Sequence, residues 1–151
     1  MSAAEGRLEE LERRLKEIRA KNDEFEAEIR ERERVRELEA KLLFEQNKAR
    51  DLPHVQAAED EHGQIRVVNT KLGAVVVRKP HHLAFKRFMH KVSGDKEMRE
   101  ADVWRLAKSC VVYPDISKVD EIREEYPGVT MRLGTAVIEL GNGEAEELEG
   151  R

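Results

Sequence analysis

A single cysteine, Cys110, stands in a chain of 151 residues. It excludes an intrachain disulfide and fits a reducing compartment, so the fold has to be held by its core alone. Aromatic residues make up 5% of the sequence and Trp104 is the one tryptophan, which limits the core to a small one. Nothing approaches the run of ~18 apolar residues that a membrane span needs. The opening Met-Ser-Ala-Ala-Glu-Gly has neither the basic nor the apolar region of a secretory signal, so a cytoplasmic location and no membrane partner are expected. Proline occurs four times, at 53, 80, 114 and 127, and each position reads as an element boundary.

Catalytic patterns are equally scarce. His81 and His82 precede a helix that carries His90, but eight helical residues separate His82 from His90 by roughly 12 Å, too far to share one ion. Cys110 lies beside Val111 and Val112, where a thiol behaves as a small core residue with a raised pKa. Gly141-Asn142-Gly143 follows a helical pattern, whereas a phosphate-binding turn precedes one. The expectation is therefore a protein without catalytic, metal-binding or cofactor-binding residues.

What the chain does have is charge, 40% of all residues, set around a narrow apolar stripe. Leu8, Leu11, Leu15, Ile18, Asn22, Phe25 and Ile29 alternate at spacings of three and four. With Leu8 at position a, the a positions are Leu8, Leu15, Asn22 and Ile29, and the d positions are Leu11, Ile18 and Phe25. A helix with so thin a stripe cannot bury it alone and needs a second helix. Asn22 at an a position costs stability but penalises pairings that leave its amide unmatched, which favours a parallel in-register dimer. After Ile29 the next d position is Arg32, and the stripe resumes one residue early at Val35, Leu38 and Leu42; a bend, a change of partner or two helical segments would each explain the shift. Glu28, Arg32, Glu33, Arg36 and Glu37 offer pairs one turn apart on the flank.

Charge is also unevenly distributed. Residues 51–64 hold Asp51, Glu59, Asp60 and Glu61 without Lys or Arg; residues 65–94 hold Arg66, Lys71, Arg78, Lys79, Lys86, Arg87 and Lys91 without Asp or Glu. The tail is acidic again through Glu139, Glu144, Glu146, Glu147 and Glu149. A basic middle between acidic flanks suits self-complementary docking or docking onto an acidic protein. A nucleic-acid footprint is the weaker reading, because Phe85, Phe88, Met89 and Val92 have the spacing of a core face and not of a stacking surface.

These patterns predict a mainly α fold: a long N-terminal coiled-coil helix, a β-hairpin and a small helical C-terminal domain. The expected divisions are 1–50 for the coiled coil, with the helix over about 5–47, then 51–63 for an acidic linker broken at Pro53. Residues 64–79 would form the hairpin, and 80–151 the helical domain with its acidic tail. The hairpin strands are expected at 64–68 and 74–78, joined by five residues ending in Gly73. The run Ala74-Val75-Val76-Val77, apolar on both faces, reads as a strand that is covered or completed by a partner. Pro80 should open a helix ending at Ser93-Gly94, and a second helix over 96–108 should present Met98, Ala101, Trp104 and Ala107, with Trp104 as a core anchor. An extended stretch follows over 109–114. Ser117 and Asp120 form a weak capping box for a helix carrying Val119, Ile122 and Tyr126. Val129, Leu133, Ala136, Val137 and Leu140 mark the last helix, stopped by Gly141 and Gly143.

Several of these stretches resemble a known group. Glu61-His62-Gly63-Gln64-Ile65, Gly73-Ala74-Val75-Val76-Val77-Arg78-Lys79-Pro80 and Phe85-Lys86-Arg87-Phe88, continued by Cys110-Val111-Val112-Tyr113-Pro114 and Tyr126-Pro127-Gly128, are similar to small tail assembly chaperones and tail-morphogenesis proteins of tailed bacteriophages, over roughly residues 60–150. The resemblance implies a protein of the host cytoplasm that binds an aggregation-prone partner, the tape-measure protein, while tail-tube subunits are recruited. It carries over no residue-level site. The expected partners are thus a second copy, as a homodimer or higher oligomer, and phage tail proteins. Arg78, Lys79, Lys86, Arg87 and Lys91 are the candidate contacts for an acidic partner or nucleic acid. Two other functions fit the same residues: a structural component kept in a virion or injection particle, and a small coiled-coil nucleic-acid-binding regulator.

Overall fold

A computed structural model describes residues 2–93 and 98–143. The chain is mainly helical, with a three-stranded antiparallel sheet, and divides into two compact units, residues 1–43 and 44–151. The first helix, α1 (Ala3–His62), supplies all described structure of the first unit and the opening element of the second. Ser2 and Glu5 start it as a reciprocal capping box: the Glu5 N–H donates to Ser2 Oγ at 3.2 Å, and the Ser2 N–H to Glu5 Oε2 at 3.4 Å. Gly63 ends it, with φ 73° and an N–H donating to the Glu59 carbonyl at 2.8 Å.

The expected break at Pro53 and acidic linker over 51–63 do not appear; that stretch is helix. Proline removes one helical hydrogen bond and crowds the preceding turn, a cost of ~3 kcal/mol. Contacts along this stretch and in the turn before it offset that cost: Asp51 and Ala58 are buried, and Asn47 Nδ2 and Arg50 Nη2 donate at 3.0 Å to the Lys71 and Leu72 carbonyls, respectively. Composition registered the acidic residues but not the surface they lie on. The shift in the apolar stripe near Arg32 likewise occurs inside one unbroken helix. The ion pairs in residues 2–43 are Arg14–Glu10 (3.1 Å) and Arg13–Glu17 (3.6 Å); none forms among Glu28, Arg32, Glu33, Arg36 and Glu37.

In the second unit, β1 (Ile65–Thr70) and β2 (Gly73–Arg78) pair in register from Ile65↔Arg78 to Thr70↔Gly73, so the hairpin turn is Lys71-Leu72. The turn is shorter than the expected five residues because Thr70 closes it: Thr70 Oγ1 donates to the Gly73 carbonyl at 2.8 Å and accepts from the Leu72 N–H at 3.1 Å. Gly73, at φ 126°, adopts a conformation that side chains disfavour. The second edge of β2 is taken by β3 (Val111–Tyr113), so the fully buried Val75, Val76 and Val77 are covered from within the chain and not by a partner strand. Strand β3 stops before Pro114, as expected.

Four more helices complete the unit: α2 (His82–Val92), α3 (Glu100–Cys110), α4 (Ile116–Glu125) and α5 (Val129–Gly141). Val75 and Val77 point into a core built from Phe88, Val103, Leu106, Cys110, Val119, Ile122 and the expected face of α5, Val129, Leu133, Ala136, Val137 and Leu140. Gly134 gives Val103 room to approach the α5 backbone: a Cβ there would collide with Val103 Cγ1. Arg66 of β1 is tied to Glu139 of α5 at 2.5 Å.

Some faces differ from expectation. Helix α3 buries Val103, Leu106, Ala107 and Cys110, while Met98 and Ala101 are exposed. Trp104 is a half-buried margin of the core whose ring lies 3.7 Å from the Arg123 guanidinium carbon, so part of its contact is cation–π. Met89 is 39% exposed, although Phe85, Phe88 and Val92 do pack inward. Asp115 precedes α4 as its N-cap residue, leaving Ser117 inside the helix and not in a capping box. Gly94 and Lys96, expected at helix ends, and the acidic tail from Glu144 lie outside the described residues.

Candidate functional site

Three arrangements have the character of sites. The first is the stripe in residues 1–43. Leu8, Leu11, Leu15, Ile18, Phe25 and Ile29 are exposed along α1, from 38% at Ile29 to 62% at Phe25, and Asn22 is exposed among them. Residues 8–29 are one continuous helix, so the a and d positions fall on a single face.

The second is a polar fastening within the second unit. Asp51 is only 4% exposed, and its hydrogen bonds come from three residues, Arg50 beside it on α1, Ala74 of β2 and Tyr113 of β3. Its Oδ1 accepts from Tyr113 Oη of β3 at 2.6 Å and from Arg50 Nε at 2.9 Å, while Oδ2 accepts from the Ala74 N–H of β2 at 2.8 Å. Burial works to raise the Asp51 pKa, but the hydrogen bonds from Arg50, Tyr113 and Ala74 together outweigh it and hold the carboxylate below its usual range. The Tyr113 phenol is pushed up, first by burial and then by its bond to Asp51. His54 stacks on the Tyr113 ring with centroids 4.5 Å apart, and a cavity of about 470 Å³ opens beside them toward Asp115 and Lys118. With its carboxylate fully engaged, this cluster is suited to holding helix and sheet together. Sequence reasoning placed Asp51 in a linker and Tyr113 at a strand end; nothing local to either residue signalled that they meet.

The third is basic. Arg87 and Lys91 of α2 and Arg105 of α3 line a groove of about 260 Å³ floored by Ala84, Phe88 and Leu106. Asp102 is the acidic residue of its lining and lies 3.6 Å from Lys91. Arg78 reaches the same region, donating to the carbonyl of Ser109 at 3.2 Å. Of the expected contacts Arg78, Lys79, Lys86, Arg87 and Lys91, the fold thus gathers Arg87 and Lys91, with Arg78 adjoining. Lys79 and Lys86 are exposed but lie outside the groove lining. Arg105 was missed, because its charge belongs to a neighbouring helix that only the packing of α2 on α3 brings near.

His81 acts as a helix cap, its Nδ1 accepting from the Leu83 N–H at 3.3 Å, while His82 and His90 are exposed. Cys110 is fully buried and its thiol pKa is raised, chiefly by that burial. Among the described residues no group of three or more His, Cys, Asp or Glu is placed to hold a metal ion, and no helix is long and apolar enough to cross a membrane.

The fold and these surfaces define a class: a three-stranded antiparallel sheet enclosed by helices, entered from a long charged helix. The chain belongs to the family of the domain of unknown function DUF6848, whose model matches residues 67–148. The solved structure of the uncharacterised protein rbstp2171 from Bacillus stearothermophilus is similar at 16% identity and a TM-score of 0.47, over 62% of this chain and 97% of that one. The comparison with curated proteins found no match.

Proposed function

We propose that this chain is a non-enzymatic, self-associating assembly factor that pairs through residues 8–42 and holds partner helices during the building of a larger structure. The observation that carries the reading is the exposed seam of Leu8, Leu11, Leu15, Ile18, Phe25 and Ile29 on one unbroken helix. Burying such half-exposed side chains against a second helix is worth on the order of 1 kcal/mol each, and the two helices of a pair contribute together. That sum is large enough to meet the cost of association, which runs to several kcal/mol. Asn22, matched amide to amide, selects the parallel in-register pair.

The resemblance to tail assembly chaperones supplies the client: a heptad-bearing tail protein such as a tape measure, bound in the host cytoplasm. A seam that pairs with itself can also pair with another helix of the same pattern. Co-expression with candidate tail proteins tests the proposal. The expected result is co-purification and a gain in the client's solubility, both lost in a variant carrying Leu15→Lys and Ile18→Lys. Recovery of the wild-type chain only as a free monomer, at every concentration reached by sedimentation velocity, overturns it.

A further inference from the structure

The sheet ends at β1 on one side and β3 on the other, and the two edges are built differently. Strand β3 is three residues long, meets β2 through a register shift at Val76 and Val77, and stops before Pro114. A short, irregular strand closed by proline is a poor template for another chain. Strand β1 has none of these devices: its six residues pair with β2 in an unbroken register. The Lys79 N–H donates to the Gln64 carbonyl at 3.2 Å, which fixes the alternation along the strand. Gln64, Arg66, Val68 and Thr70 turn their backbone groups toward β2, and Ile65, Val67 and Asn69 turn theirs outward. The Ala74 N–H, directed away from β1 to Asp51, keeps the same alternation. Among the described residues no hydrogen bond reaches the N–H or C=O of Ile65, Val67 or Asn69. These three residues also bring neither charge nor proline to the edge.

Val68 and its cross-strand partner Val75 belong to the core, so Ile65, Val67 and Asn69 lie on the opposite face of the sheet. There Val67 and Asn69 line a groove of about 350 Å³ with Phe44, Leu52 and Val55 of α1, and Phe44 and Leu52 are 58% and 48% exposed. We propose that the β1 edge is a self-docking site, at which β1 of a second copy pairs antiparallel about a twofold axis through Val67. The spacing selects this occupant. Outward groups at 65, 67 and 69 form a pattern that is the same from either end, so Val67 meets the partner's Val67 and Ile65 meets the partner's Asn69. Each of these pairs exchanges both of its N–H···O bonds, and no outward group of either copy is left over. Residues opposed across the junction share a face, so both grooves lie on one surface of the joined sheet, with the exposed Phe44 and Leu52 of each copy flanking the new strand pair.

The site is separate from the seam, and is tested in a full chain whose seam carries Leu15→Lys and Ile18→Lys, so either reading can fail without the other. Hydrogen exchange followed by NMR over a dilution series reads the edge residue by residue. The amides of Val68 and Thr70 should be protected at every concentration, whereas those of Ile65, Val67 and Asn69 should gain protection several-fold as concentration rises. On oxidation, Val67→Cys should form a covalent dimer in several-fold higher yield than Asn69→Cys, whose thiols stand apart in this register; the native Cys110 is buried and does not compete. Mixing Ile65→Cys with Asn69→Cys should restore the link. Asn69→Lys, at an exposed position, puts a charge on the edge and should remove both the concentration-dependent protection and the Val67→Cys dimer. Outward amides that exchange freely at every concentration, or that become protected only when another protein is added, would overturn the proposal. So would protection unchanged by dilution, which would mean a cover from the same chain, or equal yields from Val67→Cys and Asn69→Cys.

Discussion

Replacing Asp51 with alanine tests the account of how α1 is fixed to the sheet. The substitution removes the acceptor for Tyr113 Oη, Arg50 Nε and the Ala74 N–H, and strands the last of these beneath a buried strand. Hydrogen bonds to a charged group contribute ~1.5–3 kcal/mol each, and the half-exposed Arg50 keeps its bond to the Leu72 carbonyl and can meet water, so the expected net loss is about 3–4 kcal/mol. With a urea dependence of ~1–3 kcal/mol per molar, the midpoint should fall by roughly 2 M. Urea melts followed by circular dichroism at one fixed protein concentration measure this, the fixed concentration holding any contribution from self-association constant. The pH dependence follows from the direction of the shift. The folded state holds Asp51 below its usual pKa, so its contribution is complete above the unfolded value near ~3.9 and is lost as the pH falls through the lower folded value. The gap between wild type and variant should therefore be constant near neutrality and close in acid. An Asp51→Ala protein within ~0.5 kcal/mol of wild type at pH 7 would refute the reasoning, since surface substitutions do no more than that.

Three other expectations concern separate parts of the molecule. Asn22→Ile should raise the melting temperature of the self-associated chain while broadening its oligomer distribution in sedimentation equilibrium, because a buried Asn at an a position trades stability for pairing specificity. Gly134→Ala should destabilise by about 1–3 kcal/mol in thermal melts despite the better helix propensity of alanine, since its methyl group collides with Val103 and forces α3 from α5. Cys110, buried and with a raised pKa, should resist thiol reagents at pH 8 in the native chain and react fully in denaturant; ready native labelling would contradict its placement.

Local periodicity made much of the fold legible. The face of α5 was readable because Val129, Leu133, Ala136, Val137 and Leu140 repeat at helical spacing, and the arms of the hairpin because valines cluster on either side of a glycine. Features set by distant neighbours were not readable. The burial face of α3 turned toward Val103 and Cys110 because Gly134, more than twenty residues away, leaves a space there, while Trp104 found Arg123. Continuation of α1 past Pro53 depends on bonds to the hairpin turn and β3, which no window around the proline contains. The same holds for the basic site: Arg87 and Lys91 share a helix and were evident, whereas Arg105 joins them only through packing.

The proline two positions beyond Asp51 gives that fastening a second meaning. Pro53 has no N–H to offer the carbonyl of Ala49, so the spiral is weakest just where the carboxylate is gripped. Before the sheet exists, a nascent chain has little reason to carry its coil beyond that point. The final turns, Pro53 to His62, therefore owe their helical state to the strands they lie against, through the grip on Asp51 and the stacking of His54 on Tyr113.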